Sequence, residues 1–163
     1  YITIPAVDWS KSLDMQALIP VVAQFAIMGY GYYGSTSKVA GPVAPLNSGK
    51  EWEPYNLNTS VDYYLANKVP ASKLILALPY YGTIWETESG NIGSKVKNFI
   101  GNRTYDYIET YINAPIQYDT ISQSAWYSYV VDSENSEYRL KFKPYKRNKK
   151  KITRQKKKIT KNF

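Results

Sequence analysis

Residues 25–33 read FAIMGYGYY, an apolar run that closes on glycines and three tyrosines. A strand built only to pack needs no phenol groups at its mouth. A binding site does, because a tyrosine combines a flat apolar face with a hydroxyl that donates or accepts a hydrogen bond. The chain has no cysteine and no histidine. Disulfides, thiolate zinc sites, histidine triads and histidine proton shuttles are thereby excluded, and acid/base chemistry must come from Asp, Glu, Tyr or Lys.

The elements that would position these groups follow from apolar run length. YITIPAV (residues 1–7) reads as a strand leading into Asp8, and residues 25–30 as a second. Between them SKSLDMQALIPVV has a loose helical spacing, interrupted at Pro20. A Gly-, Ser- and Pro-rich loop runs from Gly31 to about Asn58. NTSVDYYLANKVP predicts a short helix with Thr59 or Ser60 at its start, Asp62 in its first turn and Lys68 in its last. KLILALP is an unbroken apolar run of the kind buried on both faces of a parallel sheet. Strand, helix, strand, helix, strand predicts βαβ units in an α/β fold. From residue 80 to about residue 138 the pattern becomes polar and tyrosine-rich, which predicts a small antiparallel insertion.

The 163 residues suffice for one ordinary domain but fall short of the roughly 200–250 of a complete (β/α)8 barrel. The chain opens directly on a strand-like run, as a piece cut from something longer would. The net charge of +8 is unevenly distributed. Thirteen Lys and Arg lie between Arg139 and Phe163, leaving eight basic residues against all thirteen acidic ones, a charge of −5 for the remainder. The segment after Pro144 is low in complexity and lacks an apolar face, which predicts disorder. It also lacks the interleaved aromatics that stack on bases, so no nucleic-acid partner is expected despite its charge. No apolar run approaches the ~18 residues of a membrane span.

In order along the chain stand IMGYGYYG, AGPVAPL, SVDYYLANKVPASKLILALPYYGTIW and SQSAWYSY. Together with ITIPAVDW they resemble glycoside hydrolase family 18, the chitinase family, over about residues 1–140. The resemblance implies an α/β fold, a partial TIM (β/α)8 barrel comprising about strands five to seven. Residues 1–85 would form the C-terminal half of the barrel, 86–140 part of a small α+β insertion and 141–163 the basic tail. It further implies hydrolysis of β-1,4-linked N-acetylglucosamine polymers with no cofactor or metal, an extracellular location, a monomer, and chitin or its oligosaccharides as partner. Tyr30 would orient the substrate acetamido group, which serves this family as internal nucleophile. Met28, Tyr32, Tyr81 and Trp85 would line the sugar cleft, with Trp52 a weaker candidate.

Two departures stand out: Gly31 follows Tyr30 where the family has Asp, and Thr83 occupies a position where many members have Arg. The family's proton donor belongs to an Asp-x-x-Asp-x-Asp-x-Glu motif on strand four. None of the thirteen carboxylates forms that motif; the close pairs Glu51/Glu53 and Glu86/Glu88 have the wrong spacing. The chain alone is therefore expected to be inactive, and a non-catalytic carbohydrate-binding protein is the alternative. The abrupt change at LKFKPYKRNKKK fits an out-of-frame ending on an A-rich coding stretch. Asp8 reads as a cap and Trp126 with Tyr129 as one face of an insertion strand packed into its core. Asn58 and Asn102 match the glycosylation pattern, which is common by chance.

Overall fold

The computed structural model describes residues 1–49, 52–132 and 137–143. Three short strands, β1 (Ile2–Pro5), β2 (Phe25–Met28) and β3 (Leu74–Ala77), form a parallel sheet in the order β1-β2-β3. Ile4 lies opposite Ile27, and Ile27 opposite Leu76. The first crossover contains one helical turn, α1 (Met15–Leu18), capped by the Asp14 carboxylate at the Ala17 N–H, 3.1 Å away. The second contains α2 (Leu57–Ala66).

Alternation along the strands divides the sheet into two faces. Ile4, Phe25, Ile27 and Leu74 pack beneath Met15, Val61 and Tyr64 in the first core. The opposite face, carrying Met28, Ile75 and Ala77, is only half-covered, and Ile75 is 40% exposed. KLILALP is thus not buried on both faces. Helices cover one face, and the other is left open beside the cleft described below.

α2 begins earlier than its sequence suggests. Asn56, not Thr59 or Ser60, is the N-cap, and it exchanges hydrogen bonds with Thr59 in a reciprocal box, both at 2.9 Å. The fully buried Leu57 draws the first turn inward, which leaves Asp62 beyond that turn. Lys68 lies past the helix in a left-handed conformation (φ 69°). Its N–H donates to Leu65 O while that of Val69 donates to Tyr64 O, a Schellman ending. The Tyr64 hydroxyl donates to Pro5 O at 2.7 Å, fixing α2 to the end of β1. Burial raises the pKa of that phenol, with the Asp8 charge adding to it.

The remaining strands are β4 (Tyr81–Thr87), β5 (Val96–Thr104), β6 (Gln117–Asp119), β7 (Ser124–Asp132) and β8 (Glu137–Lys143). They form an antiparallel sheet in the order β5-β4-β8-β7-β6, with α3 (Tyr105–Tyr111) following β5. This sheet starts at Tyr81, and residues 141–143, expected to begin the tail, continue β8. Residues 144–163 lie outside the described residues. Trp126 and Tyr129 do not share a face: three residues apart on β7, they fall on opposite sides of the pleat. Trp126 is buried in a second core with Tyr33, Val43, Trp52 and Trp85.

The loop between β2 and α2 contains an unusual stretch. Residues 40–46 are buried throughout, although the sequence reads there as Gly/Pro-rich loop. Buried backbone must find partners, and here they come from turns of the antiparallel region and from the two ends of the loop itself. Ala40 N–H donates to Ser94 O, Leu46 N–H to Ser122 O, Tyr32 N–H to Val43 O and Leu57 N–H to Pro45 O. A Cβ at Gly41 would enter the Tyr33 ring, so only glycine fits.

Candidate saccharide cleft

β2 ends at Met28, and the next two residues build the site. Gly29 N–H donates to Ala77 O at 2.9 Å, holding the strand end against β3. A Cβ on Gly29 would stand 2.7 Å from Leu57 Cδ2 and 2.8 Å from both Ala77 O and Leu76 Cδ1. That close approach explains the glycine. Tyr30 follows with its N–H on Met28 O at 2.7 Å. Gly31 then turns the chain at φ +74°, with open space where a Cβ would lie. The left-handed backbone, not lack of room, favours glycine where the family has Asp.

Met28, Tyr30, Tyr32 and Tyr81 all line one cleft of about 660 Å³, which also borders Pro5 and Trp9. It opens at the C-terminal ends of the parallel strands. Tyr30 and Tyr81 meet edge to face, centroids 6.1 Å apart, and each is half-buried. Burial raises the Tyr81 pKa, reinforced by Tyr30. Tyr30 therefore presents its ring at the cleft mouth, not in a sealed interior.

The other two cleft candidates differ. The Tyr32 hydroxyl is 2.6 Å from Ser60 Oγ, so it fastens the loop to α2 while its ring contributes to the wall. Burial pushes its pKa up to about 12, only partly offset by Ser60. Trp85 does not line the cleft. It shares the parity of Tyr81 on β4 but lies four residues further, about 13 Å along the strand. There it is fully buried, its indole N–H donating to Gly34 O at 3.0 Å. It supports the floor, since Gly34 itself borders the cleft.

Trp52 is also core. Its indole donates to Asp119 Oδ2 at 2.8 Å and its ring meets Tyr33 edge to face at 5.6 Å. Thr83 is buried, with its hydroxyl donating to Asn102 Oδ1 at 2.8 Å. Asn58 is engaged by Leu46 O and Asn47 Oδ1. Asp8 braces a turn, accepting from Ser12 N–H at 3.3 Å, while Asp14 caps the helix. Trp9 and Tyr55, which sequence reasoning did not single out, stand at the cleft rim with centroids 4.5 Å apart. They are 46 positions apart, so no local pattern joins them. Glu53 is the one carboxylate bordering the cleft among the described residues, and it is exposed. No cluster of metal-ligating side chains occurs among the described residues, nor any helix long and apolar enough to cross a membrane.

The chain resembles known chitinases in sequence and in fold. It is 31% identical over 94 residues to Probable chitinase 10 of Drosophila melanogaster, covering 52% of this chain and 4% of that protein. To Chitinase 1 of Aphanocladium album it is 34% identical over 102 residues, 61% of this chain and 24% of that one. The solved class V chitinase of Nicotiana tobaccum superposes with a TM-score of 0.77 at 16% identity, covering 98% of this chain and 47% of that one. A GH18 chitinase of Cycas revoluta in complex with (GlcNAc)3 gives 0.75 at 17% identity, over 98% and 46%. The chain thus spans less than a quarter of the length of those curated relatives and about half of the solved chains, and among the described residues the three parallel strands close no barrel. The family model for Glycosyl hydrolases family 18 matches residues 2–159, reaching into the basic run. By that match over nearly its whole length, the chain belongs to glycosyl hydrolases family 18.

Proposed function

We propose that this chain carries the acetamido-binding side of a chitinase-like active site, with β1, β2 and β3 as barrel strands five, six and seven. The observation that supports it most directly is the position of Tyr30, at the C-terminal end of β2, beside Met28 and against Tyr81, at the mouth of a cleft walled by tyrosine side chains. In substrate-assisted hydrolysis the acetamido oxygen attacks the anomeric carbon. The Tyr30 phenol donates a hydrogen bond to that oxygen, fixing its approach and stabilising the charge as it develops. Tyr81 packs against the sugar face by dispersion. The substrate is a β-1,4-linked N-acetylglucosamine oligomer, met outside the cell by a monomer needing no cofactor.

Protonation of the leaving group has no candidate here. The sequence lacks the acidic motif, and Glu53 is exposed and borders the cleft alone among described carboxylates. A missing general acid forfeits about 10²–10⁴-fold, so the chain by itself binds without useful turnover. Calorimetric titration with N-acetylglucosamine trimer tests this. Tyr30→Phe should weaken binding about fivefold, one neutral hydrogen bond, and wild type should release no reducing ends. Binding indifferent to both Tyr30→Phe and Tyr81→Ala would reject the assignment.

The aromatic lining, with Glu53 the one carboxylate bordering the cleft among the described residues, also fits a second function, a lectin-like protein that binds chitin without cleaving it. Fusion to a family 18 segment bearing the acidic motif separates the two. Recovered hydrolysis marks the hydrolase, and binding without turnover marks the lectin.

A further inference from the structure

Two stretches carry the pattern Asn-x-Ser/Thr, Asn58-Thr59-Ser60 and Asn102-Arg103-Thr104, neither with proline in the middle. The pattern alone does not tell them apart. Their surroundings do.

Asn58 lies in the first turn of α2, and its side-chain nitrogen donates to Leu46 O at 2.9 Å and to Asn47 Oδ1 at 2.7 Å. A primary amide has two N–H donors, and both are in use. A sugar in place of one would leave an acceptor without its donor and press a ring against Leu46, which is 1% exposed. Ser60, third in the pattern, is itself buried and bonded to Tyr32.

Asn102 is the reverse case. It is exposed on β5, which stands at one end of the antiparallel sheet order. Its Oδ1 accepts from the buried Thr83 hydroxyl at 2.8 Å, while its Nδ2 has no hydrogen-bond partner among the described residues. The carbonyl is anchored and the nitrogen is left available. The Arg103 guanidinium turns back onto its own strand, donating to Asn102 O at 2.8 Å and lying over the Tyr107 ring at 5.5 Å. Thr104 is exposed and caps α3, accepting from Tyr107 N–H at 3.3 Å.

We propose that Asn102 is a site of N-linked glycosylation and that Asn58 is not. The co-reactant is an oligosaccharide carried on a polyisoprenyl pyrophosphate. Asn102 Nδ2 bonds to the anomeric carbon of the first sugar as the bond from that carbon to the pyrophosphate oxygen breaks. The lipid pyrophosphate leaves, and Nδ2 gives up one proton and keeps the other. Because Oδ1 takes no part, the bond from Thr83 survives the modification. The inference rests on the extracellular location proposed above, since this transfer needs the secretory route.

The experiment supplies that route by itself. The full chain is expressed in a eukaryotic host behind a cleavable secretion signal, as wild type, Thr104→Ser and Thr104→Asp. Serine keeps both the pattern and the cap, whereas aspartate keeps a cap and removes the pattern. Gel mobility is read before and after an amidase that strips N-linked glycans, peptide masses locate the sugar, and a thermal melt checks folding. Wild type and Thr104→Ser should each show one glycan, mapped to Asn102, with Asn58 bare. Thr104→Asp should lose the mobility shift entirely and still melt cooperatively. Folded wild type with a bare Asn102, a glycan mapped to Asn58, or a shift that persists in Thr104→Asp overturns the assignment. Chain retained in the cell is scored in the same way from the microsomal fraction. None of these outcomes bears on the saccharide cleft, which oligosaccharide titration tests separately.

Discussion

The indole N–H of Trp52 donates to Asp119 Oδ2 across 67 positions of sequence, at 2.8 Å. The bond ties the long β2–α2 loop to the turn between β6 and β7. Asp119 also accepts from Ile121 N–H at 3.1 Å and Ser122 N–H at 3.0 Å. Burial pushes this carboxyl up, but the hydrogen bonds from Ser122, Trp52 and Ile121 together outweigh it and hold its pKa below the ordinary value. A depressed folded pKa contributes stability that is present above the unfolded value, about 3.9, and is lost as pH falls through the folded one. Asp119→Asn should cost about 1–2 kcal/mol at pH 7 and flatten the loss of stability below pH ~4. Urea denaturation at both pH values checks this; equal slopes for the two proteins would refute it.

The glycines flanking Tyr30 should respond differently to a side chain. Gly29→Ala drives a methyl into Ala77 O, Leu57 and Leu76 and should destabilise by about 1–3 kcal/mol. Gly31→Asp restores the family's residue in open space, paying only for its left-handed backbone, about 1 kcal/mol. Thermal melts of the two variants give the order. A greater loss at Gly31 would contradict the geometry.

Lys68 offers the opposite sign. It occupies the left-handed position of a complete Schellman ending, where glycine carries no Cβ penalty. Lys68→Gly is expected to raise stability by about 0.5–1 kcal/mol without touching saccharide binding. A lower melting temperature would show that the Lys side chain contributes more than its backbone costs.

Tyr32 and Trp85 separate support from contact. Tyr32→Phe removes the hydroxyl from Ser60 Oγ and should cost about 1 kcal/mol, while oligosaccharide affinity stays within about twofold. Trp85→Ala empties the second core and should cost about 3–5 kcal/mol. A Trp85 variant that stays as stable as wild type but loses binding would return that residue to the cleft.

Much of the fold was legible because short apolar runs at βαβ spacing admit few arrangements. The parallel sheet, the antiparallel region after Tyr80 and the placing of Tyr30 at a strand mouth all follow from pattern. The α2 cap was missed because the reciprocal pair is Asn56 with Thr59, not the Ser/Thr–Glu form that sequence usually advertises. Trp85 was misplaced because alternation gives a side and not a depth: Tyr81 and Trp85 share parity, yet one faces the cleft and the other lies under it. Trp52 shows the same limit, since an aromatic in a loop looks alike whether it meets a ligand or Asp119. Trp9 and Tyr55 acquire meaning only as neighbours, and no spacing rule links them.

The buried strip at residues 40–46 is bonded through its backbone to Ser94 and Ser122 in turns of the antiparallel region and to Tyr32 and Leu57 at the two ends of its own loop, so pulling those turns away from the loop would break bonds along the strip. The gap that Tyr30 and Tyr81 border is accordingly flanked by a braced loop, not a loose one.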